Sequence, residues 1–193
     1  MVEYLRSATR LHHNALDRDL VPIIKSVSDS LDYQYLLGMF YSFYYPVELK
    51  LDHFLNEVTI YDYPIRRRAA RIMNDIRSIG SGEASFQFCS DLPGIFNLET
   101  ALGAYYVLEG STMGGGVICK MLGENAGIVK GLSFFAAYGQ DNHRMWNNFL
   151  NQLESLSSML NHREVIGAAV ETFIKLHDWT KEFYGKENIR TAS

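Results

Sequence analysis

Cysteine is scarce in this chain of 193 residues: Cys89 and Cys119 are the two present, and they form no Cys-x-x-Cys pair or zinc-spaced set. That excludes a disulfide scaffold and a thiolate metal site, and predicts two reduced, buried thiols. An excess of one charge is lacking too. A formal net charge of -4 and an isoelectric point near 5.8 provide neither a nucleic-acid surface nor a polybasic membrane anchor. Long apolar runs are missing, and the opening MVEYLRSATRLHHNAL carries charges throughout. Neither a spanning helix nor a signal peptide is therefore expected, and the cytoplasm follows as the default location. Internal repeats, low-complexity tracts and sustained heptads are absent as well, which excludes solenoids and coiled coils.

What the chain has is helical periodicity. Its length and its 47% hydrophobic content suit one domain spanning residues 1–193. From about Glu3 to Leu20, Leu5, Ala8, Leu11, Ala15 and Leu16 share one broad face, predicting a first helix. Asp29 or Ser30 caps a second, aromatic-rich segment that runs to about Val58, with Pro46 expected to kink or split it. Pro64 and Gly80 bracket RRRAARIMNDIRSI as a third helix with a solvated charged face. After a loop containing SGEAS and DLPG, Asn97 caps a long helix ending near Gly123, and GLSFFAAYG is a short buried piece. Two amphipathic helices, Asp141 to about Leu160 and Arg163 to about Tyr184, complete the pattern. Nothing reads as a strand, so the expected fold is an irregular all-α bundle.

One stretch departs from good helix composition. LEGSTMGGGVICKML, residues 108–122, contains Gly110, Gly114, Gly115 and Gly116, each costing roughly 1 kcal/mol relative to alanine in a helix interior. No Gly-Lys-Ser/Thr follows, so this is no phosphate-binding loop, and Ser111 directly after Gly110 lacks the Gly-x-Ser-x-Gly spacing of a nucleophile elbow. None of the six histidines has a glutamate three residues before it, which excludes the usual di-iron carboxylate bundle. At 100° per residue, Gly103, Gly110 and Gly114 fall within about 40° of one another, forming one bare stripe. Two explanations compete: a tight helix crossing or hinge, and a flat ligand lying against the backbone. A flat ligand carrying a metal needs an axial donor, and the first helix offers His12 and His13. Periodicity prefers His12, near the middle of the Leu5, Ala8, Leu16 face, and sets His13 to the side.

LRSATRLHHNALD and YYVLEGSTMGGGVICKML together resemble the two signature regions of heme oxygenases, most closely the bacterial type, which includes members that supply biliverdin to phytochromes. The resemblance implies a haem-binding all-α fold, with haem as both substrate and cofactor between the first helix and a glycine-kinked distal helix. It implies oxidative cleavage to biliverdin, carbon monoxide and ferrous iron, using dioxygen and electrons from a separate ferredoxin or flavoprotein reductase. Residue by residue, it reverses the choice of histidine: Leu5, Ala8 and Thr9 lead to His13 as the axial ligand of the haem iron. Asp17 matches an acidic position that orients the ligand, and Arg6 and Arg10 match basic positions at the propionates. Gly110 and Gly114 match the glycines where the distal helix bends. Tyr105 and Arg144 match further propionate partners, and Phe173 an aromatic packed on the haem. At Ser111 the chain departs from the aspartate many members carry. A hydroxyl can hold a water but bears no fixed negative charge, so a non-catalytic haem-binding or haem-sensing protein of the same fold is the alternative.

Overall fold

A computed structural model describes residues 1–80 and 85–190, with side chains through residue 185. The described residues form eight α-helices: α1 (Val2–Ser26), α2 (Ser30–Leu51), α3 (Ala70–Ser78), α4 (Leu98–Gly110), α5 (Gly115–Ala126), α6 (Ser133–Ala136), α7 (Asn142–Leu156) and α8 (His162–Arg190). The described residues contain no strand, and the architecture is all-α. Most of the expected SGEAS loop, residues 81–84, lies outside the described residues, as do residues 191–193 of the expected domain.

Local chemistry fixes the helix starts. The Asp29 carboxylate accepts from the Leu31 and Asp32 amides at the head of α2, and Asn97 and Thr100 cap α4 reciprocally. The prolines do less than expected. Pro22 and Pro46 both lie inside unbroken helices, so α1 extends six residues beyond the expected Leu20 while α2 stops at Leu51 rather than near Val58. One apolar cluster joins buried residues of every helix: Leu5 and Ile24 of α1, Tyr33 and Phe43 of α2, Ile72, Leu102, Leu122, Phe134, Phe149 and Val165 among them.

Two expectations need correction. The run RRRAARIMNDIRSI is not one helix with a solvated charged face. Its helical part is Ala70–Ser78, and Arg66 and Arg67 precede it, 2% and 5% exposed: Asp62, Glu109 and the Met145 carbonyl accept from the Arg66 guanidinium, while the Leu108 carbonyl and the Ser111 hydroxyl accept from Arg67. The inward face of α1 is also not the one predicted. Leu11 is 73% exposed, while Leu5, Thr9, Leu16 and Leu20 are buried. The stripe is rotated toward Thr9 and His13 because the middle of α1 faces a cavity rather than packed side chains.

Candidate functional site

That cavity, about 560 Å³, lies between α1 and the α4–α5 segment, with α2, α7 and α8 closing it. The volume falls within the range of roughly 300–1,000 Å³ typical of small-ligand sites. Its lining is largely apolar, from Leu16, Leu20, Phe40, Val107, Phe134 and Phe135.

Along α1, Arg6, Thr9, Arg10, His13, Asp17 and Leu20 line the cavity at helical spacing, and His12 does not. The histidine choice made by resemblance is thus the one on the cavity wall. The His13 side chain is half exposed, and its Nδ1 lies 3.6 Å from Asp17 Oδ2 one turn on. The Phe173 ring, from α8, meets the imidazole edge-on at a centroid distance of 5.5 Å.

The opposite wall is the glycine stretch, and its glycines do different things. The expected single helix breaks into α4, a 3-10 turn over Ser111–Gly114, and α5. At Gly103 the tight crossing is real: a Cβ would collide with the Val165 carbonyl oxygen of α8. At Gly115 a Cβ would collide with the Phe135 carbonyl oxygen. A Cβ at Gly110 would press on the Trp146 ring at 3.3 Å, whereas one at Gly114 would meet nothing within 4 Å. Gly110 and Gly114 line the cavity, so the competing explanations divide along one stripe: crossing at Gly103, open backbone at Gly114.

On the same wall, Ser111 is held from three sides. Its hydroxyl donates to the Leu108 carbonyl oxygen at 2.7 Å and accepts from Tyr44 Oη at 3.1 Å and Arg67 Nη2 at 3.0 Å. One donor and two lone pairs are a hydroxyl's full capacity. Ser111 therefore has no hydrogen-bonding position left for the water expected of it.

Two predicted residues lie elsewhere. Tyr105 faces the core, its hydroxyl donating to Glu109 Oε2 at 3.3 Å and its ring packed against Tyr63 and Phe149. Burial, then the Glu109 carboxylate, push its pKa well above the phenol value. The adjacent Tyr106 lines the cavity instead, because α4 turns the two tyrosines about 100° apart. Arg144 is exposed and paired with Asp141 at 3.0 Å on the surface; Trp146, two residues on, lines the cavity. Sequence reasoning missed Tyr44, Arg67, Tyr106 and Trp146 at this wall. The available signals were the aromatic density of the second helix, read as core, and the arginine run, read as solvated surface.

The residues suit a flat macrocycle bearing a metal and two carboxylates: an apolar slot, an imidazole on one wall, bare backbone at Gly114 opposite, and two guanidinium side chains on α1. The heme oxygenase family model matches residues 1–182. The chain belongs to the heme oxygenase family. No curated protein matches it significantly. Among the described residues it has no helix long and apolar enough to cross a membrane, and no group of three or more His, Cys, Asp or Glu placed to hold a metal ion.

Proposed function

We propose that this chain is a catalytically active heme oxygenase, cleaving haem to biliverdin, carbon monoxide and ferrous iron. The observation that supports the reading best is the placement of His13, backed by Asp17 and Phe173, across the cavity from the open backbone at Gly114. Haem, when bound, supplies the iron that activates dioxygen and is itself the molecule oxidised. His13 would hold the iron through the neutral imidazole, a ligand that, unlike a thiolate, gives little push toward O–O cleavage. Asp17 orients that ring, as carboxylates commonly do for metal-bound histidines. Arg6 and Arg10 would pair with the propionates. Phe134, Phe135 and Val107 keep bulk water out, and Gly110 and Gly114 leave room close to the backbone. No flavin or nicotinamide motif is present in the sequence, so the reading assigns the electrons to a separate ferredoxin or flavoprotein reductase. It places the reaction in the cytoplasm and makes a phytochrome a candidate acceptor of the biliverdin.

A specific observation also favours haem binding without turnover: the saturated Ser111, which has no free position for a water that could deliver protons. Titration with hemin followed by ascorbate or a ferredoxin system in air separates the two. A Soret band that decays into biliverdin absorption supports the enzyme; a Soret band that persists, under a donor that turns over a control enzyme, supports the carrier or sensor. His13→Ala is expected to lose the axial-imidazole spectrum and turnover together, and unchanged biliverdin production by that variant would remove the assignment of His13.

A further inference from the structure

Arg66, Arg67 and Arg68 are consecutive and meet different surroundings. Arg66 pairs with Asp62 at 2.7 Å and with Glu109, and Arg68 with Asp52 at 2.6 Å and Glu48 at 3.3 Å. Arg67, between them, is 5% exposed and has no ion pair among the described residues. Its guanidinium lies over the Phe134 ring, 4.4 Å from the centroid, and 5.3 Å from that of Tyr44. Nη2 donates to the Leu108 carbonyl oxygen and to Ser111 Oγ. Its Nε is buried with no hydrogen-bond partner, and the residue lines the cavity.

Arginine stays protonated in proteins. A buried cation with no carboxylate carries a desolvation penalty that aromatic faces and neutral acceptors offset only in part. The carboxylates that serve its two neighbours are already engaged: Glu109 with Arg66 and the Tyr138 hydroxyl, Glu48 with Arg68 and the Ala69 amide. What remains is unpaired positive charge beside Ser111, on the wall that also carries Gly110 and Gly114. This combination favours negative charge in the cavity.

We propose that Arg67, braced by Tyr44 and Ser111, is a built binding site for a small anion, or for a small ligand that gathers negative charge, within the cavity. The occupant is of halide or diatomic size, since the guanidinium packs on the Phe134 and Tyr44 rings and is tethered through Nη2 to the Leu108 carbonyl and Ser111, so it cannot swing out to meet a larger group. This inverts the expectation drawn from Ser111. The distal wall does not merely lack the carboxylate of related chains; it carries a cation, and the serine positions that cation rather than a water. The inference rests on the haem reading, because its occupant is held jointly with the iron.

The test uses the full chain loaded with ferric hemin and fluoride as the probe. Fluoride affinity is measured by optical titration in the unaltered protein and in Arg67→Leu and Arg67→Gln, with neutral imidazole as the comparison ligand. Loss of one charge-assisted hydrogen bond predicts fluoride binding weakened by about tenfold or more in both variants, with imidazole affinity held or raised. Equal loss for fluoride and imidazole would indicate a distorted pocket and overturn the proposal, as would fluoride affinity within twofold of the unaltered protein. Should both variants misfold, the unaltered protein still decides. Its iron–fluoride stretch is expected to shift in D2O because a protein N–H donates to the fluoride, and an unshifted band overturns the proposal. Failure of hemin to bind at all is a different outcome: it removes the haem reading itself.

Discussion

On α1, the charged and imidazole side chains that face the cavity are exposed and joined to little else: His13 and Asp17 are each about half exposed, at 55% and 51%, and Arg6 and Arg10 are exposed too. Across the cavity the arrangement is reversed. Tyr44, Arg67 and Ser111 come from α2, the segment before α3 and the turn after α4, and Tyr44 and Arg67 both donate to the Ser111 hydroxyl. Behind them Arg66 holds Asp62, Glu109 and the Met145 carbonyl together in the core. One wall is a single helix whose reactive groups contribute little to stability. The other is a cross-braced unit in which the groups lining the cavity also hold the fold. A substitution should therefore separate binding from stability on the first wall and confound them on the second.

The largest effect expected from that contrast is at Arg66, whose side chain is fully buried. Arg66→Met would leave Asp62 and Glu109 as buried carboxylates without their cation, a change that typically costs about 3–5 kcal/mol. Denaturant unfolding of the haem-free protein should show this loss. His13→Ala, by the same measurement, should shift stability by less than about 1 kcal/mol, as is usual at exposed positions. Similar losses in the two variants would break the comparison between the walls.

Within the distal wall the glycines sharpen it further. Gly115→Ala places a methyl against the Phe135 carbonyl oxygen, a backbone atom with no rotamer to yield, and should cost about 1–3 kcal/mol or more. Gly116→Ala meets nothing within 4 Å. It should be neutral or stabilise by up to about 1 kcal/mol through helix propensity. A thermal melt distinguishes the pair, and equal melting temperatures would mean that Gly115 is retained for something other than the approach of Phe135.

The same contrast explains what could be read in the sequence. His13, Asp17, Arg6 and Arg10 lie on one helix, where positions three and four apart are neighbours, so a local pattern contained the whole arrangement. Even there, periodicity alone chose His12, because a hydrophobic-face argument assumes packed atoms where α1 in fact meets a cavity. The distal brace joins residues 44, 67 and 111, whose proximity no local period encodes. An arginine run looks the same in sequence whether solvated or buried; only the carboxylates brought to Arg66 and Arg68, and withheld from Arg67, distinguish them. Tyr105 and Tyr106 show a finer limit, since a one-residue step on α4 exchanges core for cavity.

A pH dependence also belongs to the braced wall. Glu48, one turn beyond Tyr44 on α2, is 6% exposed. Burial pushes its pKa up to about 7 from 4.5, against the pull of Arg68 and of the Ala69 amide that donates to both its oxygens at 3.0 Å. The native state therefore holds this proton more tightly than the unfolded chain does. The associated stability is fully present below about 4.5 and is lost as pH rises to about 7. Glu48→Gln has no such proton. Its absolute stability depends on how well the amide faces Arg68, but its unfolding free energy should change less with pH across that window than that of the unaltered protein. Parallel curves from pH 4.5 to 7 would mean that Arg68 and the Ala69 amide outweigh desolvation and keep Glu48 ionised throughout, making it a fixed charge in the brace rather than a titrating one.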